Sequence, residues 1–256
     1  MSTGLRWPAE AVWEAVAPSL PGFTVEVLPR VDSTNSELMR RARAGQAEPV
    51  LLVAEQQTAG RGRLGRGWQS DAGASLTFSL GLALAPADWS GLSLAVGVSL
   101  AESLHPRVQL KWPNDLWVDG RKLAGILVET ASFGAGEAQR YAVIGVGINV
   151  APRPADGLST PPASLQELDA GLDAPAALLR VAPPLVATLQ AFAQFGFAPF
   201  RARFEARDAL RDREVQLSDG MRGTAHGVSE AGALLVHTPA GMQAVSSAEV
   251  SVRPAA

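Results

Sequence analysis

LLVAEQQTAGRGRLGRGW, residues 51 to 68, decides how the rest of the chain is read. An apolar run of strand length, Leu51 to Ala54, feeds a loop in which Gly60, Gly62, Gly65 and Gly67 are interleaved with Arg61, Arg63 and Arg66. Glycine lets backbone N–H groups approach an anion closely, and guanidinium groups offer charge-assisted, often bidentate, hydrogen bonds to phosphate or carboxylate. So many glycines and arginines in one short run exclude a packed core element. Gly60-x-Gly62-x-x-Gly65 also satisfies the bare dinucleotide fingerprint, but that fingerprint must open a helix and be followed about 20 residues on by an acid. Here SLTFSLGLAL (75 to 84) reads as a second strand, and positions 79 to 85 carry no acid. The dinucleotide reading fails on context, and a solvated basic loop is the bland alternative.

Composition narrows the function classes. The chain has 256 residues and 47% hydrophobic content, enough for a sizeable core. A net charge of −3 argues against a general nucleic-acid binder, which makes the loop arginines a local device. Without cysteine there is no disulfide framework, thiolate metal site or cysteine nucleophile, which is compatible with a reducing cytoplasm. No targeting segment and no long uncharged apolar stretch stands out, so a soluble, cytoplasmic protein that does not enter a membrane is expected. The chain holds only two lysines, Lys111 and Lys122, and three asparagines, Asn35, Asn114 and Asn149. A sequence so depleted in these types should keep them where arginine or another polar group fails, because lysine is a compact point charge and asparagine pairs a donor with an acceptor on a short stem.

In chain order, residues 8 to 17 read as a short amphipathic helix and 23 to 28 as a strand. In Val31-Asp32-Ser33-Thr34-Asn35, Thr34 and Glu37 match a capping box for a helix that Gly45 stops; the same small polar residues can also face a ligand carrying donors and acceptors, such as a urea. Residues 89 to 104 read as a buried helix and 108 to 111 as a strand. Asp119-Gly120 is the turn of a hairpin whose returning strand is 122 to 129, so both lysines sit at strand ends around one hairpin. Tyr141 to Val150 is a buried strand in which Gly145 and Gly147 make room for something close to the sheet. Residues 151 to 174 form a long loop, and 175 to 206 give helical pieces broken by Pro183-Pro184 and Pro199. The last fifty residues carry short strands and turns, the pattern of a small antiparallel barrel. His105, His226 and His237 share no metal-ligand spacing, and no serine-hydrolase elbow, zincin or P-loop motif occurs.

Five segments, VDSTN (31 to 35), EQQTAGRGRLGRGW (55 to 68), KWPNDL (111 to 116), KLAGILVE (122 to 129) and GVGIN (145 to 149), resemble in order and spacing the biotin–protein ligases. The resemblance implies an α+β fold: a mixed, largely antiparallel central sheet flanked by helices in a catalytic domain (residues 1–207), and an SH3-like C-terminal barrel (208–256). It implies two steps, ATP-dependent activation of biotin to biotinyl-5′-AMP and transfer to a lysine of a biotin carboxyl carrier protein, with Mg²⁺ assisting. Lys122, Arg63 and Asp115 would be catalytic. Ser33, Thr34, Asn35, Gln57, Arg61, Gly62, Arg63, Lys122 and Gly125 would hold biotin. Arg61, Arg63, Trp68, Lys111, Asn114 and Asn149 would hold ATP or the adenylate, with a metal near Asn114 and Asp115.

This chain departs from the family's pattern at Leu64 and Gly67, where further basic residues are common. Residues 151 to 170 also lack an aromatic to stack on adenine, leaving that role to Trp68 or an aliphatic wall. About thirty residues precede VDSTN, too few for a helix-turn-helix domain, so no nucleic-acid partner and no repressor activity are expected. Exposed glycine-rich edges could pair in a homodimer, although no motif specifies one. Lipoate ligases share the architecture, and a catalytically silent biotin or adenylate binder is the alternative outside the enzyme class.

Overall fold

The computed structural model describes residues 5–132, 139–155, 160–246 and 252–254. Helix α1 (Ala9–Val16) precedes strand β1 (Thr24–Val31), helix α2 (Thr34–Arg43) and strand β2 (Val50–Gln57). The arginine loop contains a two-stranded hairpin, β3 (Gly60–Arg61) with β4 (Gly67–Trp68), around a 3-10 turn at Arg63–Gly65, and β5 (Ser75–Leu84) follows. Helix α3 (Leu92–Leu104) leads to β6 (Gln109–Lys111), β7 (Asp115–Val118), β8 (Arg121–Ser132) and β9 (Arg140–Asn149). Helices α4 (Ala174–Phe195) and α5 (Ala198–Glu205) precede β10 (Glu214–Leu217), β11 (Arg222–Val228), β12 (Leu234–Thr238), β13 (Gly241–Val245) and β14 (Val252–Pro254).

The central sheet runs β1-β2-β5-β9-β8-β7-β6; β1 and β2 are parallel and every other neighbouring pair is antiparallel. Strand alternation assigns its two faces. Ala142, Ile144, Val146 and Ile148 of β9 join the main core with α1, α3, α4 and α5, whereas Tyr141 and Val143 pack with Leu38, Met39 and Ala42 of α2. The alternation therefore carries Gly145, Gly147 and Asn149 onto the α2 face. Helix α2 covers one end of that face and leaves the other end open.

A β-bulge between β7 and β8 adjusts this pattern where it matters. Leu116 pairs with Ala124 but Trp117 pairs with Lys122, so Leu123 is the extra residue on β8. Leu123 is fully buried in the core, and Lys122 is released toward the opposite face from the one simple alternation would give it.

Three expectations are corrected. Pro183 and Pro184 do not break the helix: α4 is continuous. Both prolines lie on its outer side, where solvent can satisfy the carbonyls of the exposed Leu179 and Arg180 that lose their donors, while Leu178, Val181, Leu185, Leu189 and Phe192 bury the inner side. The cap of α2 is Ser33, whose Oγ accepts from Ser36 N–H at 3.4 Å; Thr34 is the first helical residue and Glu37 pairs with Arg40 and Arg41. Helix α3 starts at Leu92, because Asp88 accepts from Ser90 N–H and Gly91 adopts a left-handed φ of 79°. The last strands form the small antiparallel sheet expected of an SH3-like unit, in the order β13-β12-β11-β10-β14, with no closed barrel among the described residues.

This second sheet is keyed to the first. Arg207 O accepts from Leu110 N–H (2.8 Å) and Leu110 O from Ala209 N–H (2.9 Å), covering the β6 edge; the buried Trp112 indole donates to Gly232 O at 3.1 Å. Helix α4 is long and apolar enough to cross a membrane by composition, but half of its apolar window is buried against the protein core.

Candidate functional site

The open end of the α2 face is a cavity of about 470 Å³ lined by β2, β7, β8, β9, the arginine loop and two arginines of the C-terminal region. All five of the scarce residues, Asn35, Lys111, Asn114, Lys122 and Asn149, line it. So do Ser33, Thr34, Gln57, Arg61, Gly62, Arg63, Trp68, Asp115 and Gly125, and thus every site residue expected from the sequence comes to one place. Eight cationic side chains line the cavity against one carboxylate, Asp115, among the described residues. Low-dielectric walls lined by one sign of charge attract anions, in contrast to the slightly acidic chain as a whole.

At one end, Gln57 Oε1 accepts from both the N–H (2.7 Å) and the hydroxyl (3.1 Å) of Thr34. Ser79 Oγ lies 2.7 Å from Thr34 Oγ1 and donates to Asn35 Oδ1 at 2.6 Å. Asn35 gives its amide hydrogens to Leu127 O (3.2 Å) and Glu129 Oε2 (2.9 Å). Asn35 is therefore held on three sides and leaves a ligand only the remaining lone pair of Oδ1. A Cβ at Gly145 would lie 2.1 Å from that oxygen, which is what this glycine makes room for.

In the middle, Lys122 Nζ is 2.7 Å from Asp115 Oδ1, and Lys111 Nζ is 3.9 Å from Asp115 Oδ2. Burial pushes the Lys111 ammonium down to about 8, opposed by Asp115 and reinforced by Lys122, Arg66 and Arg253. Arg63 reaches over from the loop, its Nη1 3.4 Å from Asn114 Oδ1, while the Asn114 amide donates to Ile126 O. Burial pulls the Arg63 guanidinium below its usual range, with Asp115 opposing. Gly125 leaves Lys122 its space: an added Cβ would sit 3.2 Å from Nζ.

At the far end the Trp68 indole lies against Gly147, where a Cβ would come within 2.3 Å of the ring. Lys122 Nζ and the Arg153 guanidinium lie 6.0 and 5.8 Å from that ring's centroid. Asn149 donates to Lys122 O (3.1 Å) and Ala163 O (3.0 Å), which fixes the orientation of its amide, and its buried Oδ1 has no partner in the protein. Trp68 Nε1 and Arg153 Nε are likewise buried without protein partners. Orphaned buried polar atoms are rare in native folds, and these three belong to residues that line the one cavity.

Sequence reasoning missed Ser79, Glu129, Arg153, Arg213 and Arg253, and named Arg66 only as one of the loop arginines. Ser79 sits in a strand that reads as apolar, and the C-terminal arginines reach the cavity only through the docking of the second sheet; an alternation rule for β5 could have found Ser79. His105, His226 and His237 lie outside the cavity lining. No group of three or more His, Cys, Asp or Glu side chains that could hold a metal ion occurs among the described residues, and Asp115 is paired with Lys122.

The chain matches the biotin/lipoate A/B protein ligase family over residues 27–149 and the biotin protein ligase C-terminal domain over 212–253. It is 39% identical over 250 residues to the bifunctional ligase/repressor BirA of Escherichia coli, covering 92% of this chain and 76% of that protein. The biotin–[acetyl-CoA-carboxylase] ligase of Paracoccus denitrificans is 36% identical, over 88% of this chain and 98% of that one. Among solved structures, biotin protein ligase from Aquifex aeolicus in complex with biotin and ATP superposes with a TM-score of 0.77 at 31% identity, covering 90% and 99% of the two chains.

Proposed function

This chain belongs to the biotin protein ligase family, and from that premise we propose that it joins biotin to ATP and passes the biotinyl group to a lysine of a biotin carboxyl carrier protein. In the first step a carboxylate oxygen of biotin attacks the α-phosphorus of ATP and the bond to pyrophosphate breaks. In the second, the acceptor amine attacks the carbonyl carbon of biotinyl-5′-AMP, loses a proton, and AMP leaves. The observation that carries this reading is the convergence of Arg63 and Lys122, from separate segments, on one cavity.

The roles follow from charge and reach. Negative oxygens crowd together as the anhydride forms, and Lys122 and Arg63 offset that charge in a partly desolvated site. Ser33, Thr34, Asn35, Gln57, Gly125 and the Arg61 to Arg63 backbone hold the biotin ring system, and Gln57 and Thr34 present mixed donors and acceptors suited to a ureido group. Asn149 takes the purine's exocyclic amine on Oδ1, Trp68 supplies the aromatic wall, and Lys111 with Asn114 meets the phosphates. Asp115, held between two ammonium groups, accepts or positions the proton of the acceptor amine. Magnesium enters as the counter-ion of the triphosphate, and is therefore part of the substrate. Closure of the glycine-rich loop keeps water from the mixed anhydride.

Incubation of the full chain with biotin, ATP and a biotin carboxyl carrier domain, followed by mass spectrometry, tests the reading. One added biotinyl group on the acceptor is expected. An unmodified acceptor in the presence of bound biotin would leave only a binding protein, and a product formed from lipoate in preference to biotin would move the chain to the other branch of the family.

A further inference from the structure

We propose that Glu129, which lies outside the cavity lining, is the positioning residue that latches the arginine loop against the sheet. Alternation on β8 puts Gly125, Leu127 and Glu129 on the α2 face. There a single carboxylate oxygen, Oε2, accepts from Arg61 Nη2 at 2.7 Å and from Asn35 Nδ2 at 2.9 Å. That oxygen joins three segments far apart in sequence: the loop through Arg61, helix α2 through Asn35, and β8 itself. Asn35 is in turn tied to Ser79 and Leu127 O, so the loop is anchored to a rigid base.

The loop needs such an anchor. Four glycines within residues 60 to 67 make ordering costly in backbone entropy, and Arg61, Arg63 and Arg66 repel one another. The partly exposed Glu129 carboxylate opposes both effects, and a charged acceptor holds a guanidinium more strongly than a neutral one. The Arg61 side chain is 44% exposed, which keeps the pair salt-sensitive and reversible, as a loop that admits substrate requires. The inference assigns the Arg61 side chain to docking the loop, leaving charge stabilisation at phosphorus to Arg63 and Lys122. Its consequence for catalysis, retention of the adenylate, rests on the ligase reading; its geometry does not.

Hydrogen–deuterium exchange of residues 58 to 68 in the ligand-free full chain tests the latch. Glu129→Gln preserves shape and removes charge; Arg61→Gln alters an exposed side chain that cannot threaten the fold. Each single variant is expected to exchange about fivefold faster in the loop, with β9 unchanged, and the double variant no faster than either single. About 0.5 M salt should bring the wild type towards the variants and leave the variants unmoved. Unchanged loop exchange in Glu129→Gln, or additive effects in the double variant, overturns the proposal. Because this readout uses no ligand, its failure is distinct from failure of the ligase reading, which would appear as a wild-type chain that does not biotinylate.

Discussion

Replacing Lys122 with alanine separates chemistry from fold. Lys122 Nζ is 2.7 Å from Asp115, but Asp115 keeps a second cation, Lys111, at 3.9 Å. At an effective dielectric near 20, that remaining pair is worth about 4 kcal/mol of Coulomb energy before desolvation, so the carboxylate is not stranded. The fold should lose about 1 kcal/mol, and the melting temperature should fall by about 2–4 °C. Adenylate formation loses a point charge aimed at the developing oxyanions, a loss of about 3–4 kcal/mol or 10²–10³ in rate. Lys122→Arg should not recover it, since a planar, delocalised guanidinium does not reproduce a compact ammonium held 2.7 Å from Asp115. The assay is biotin-dependent exchange of labelled pyrophosphate into ATP, with a thermal melt in parallel. Exchange at the wild-type rate in Lys122→Ala refutes the role. So would a melting temperature lowered by ten degrees or more, because the lost activity would then belong to the fold.

Lys111, with its folded pKa near 8 against an ordinary 10.5, should make the protein more stable as pH rises between those values, because there the unfolded chain still holds a proton that the folded one has released. Lys111→Met should flatten that rise in urea melts from pH 7 to 10. Asp208 behaves oppositely: burial raises its carboxyl from 3.8 to about 6, so between those values the folded state holds the extra proton and stability falls as pH rises. Asp208→Asn, which keeps the acceptor for Leu210 N–H, should be about 1–3 kcal/mol more stable than wild type at pH 7.5 by denaturant titration, with the advantage gone by pH 4. Asn149→Ala should lower the preference for ATP over GTP about tenfold or more in pyrophosphate exchange, because the obligate acceptor Oδ1 is lost; an unchanged preference would show that the base is read elsewhere.

The amino-acid sequence by itself determined the strands, most of the helices, the Asp119-Gly120 turn and the residue types of the site. These depend on local physics: alternation for strands, glycine where φ is positive, as at Gly120 (φ 76°), and scarce lysines and asparagines kept where nothing else serves. Only the tertiary structure decided how they converge. The continuity of α4 through Pro183-Pro184 depends on which side meets solvent, and the cap at Ser33 depends on Gln57, 23 positions beyond Thr34, claiming Thr34. The bulge that frees Lys122, the closeness of Asn35 to Gly145 and of Trp68 to Gly147, and the reach of Arg213 and Arg253 into the cavity all come from register and docking between distant segments. Glu129 is the sharpest case. Its neighbours along the chain mark only a strand, and its meaning comes from Asn35 and Arg61, 94 and 68 positions away, which long-range packing alone brings to one oxygen.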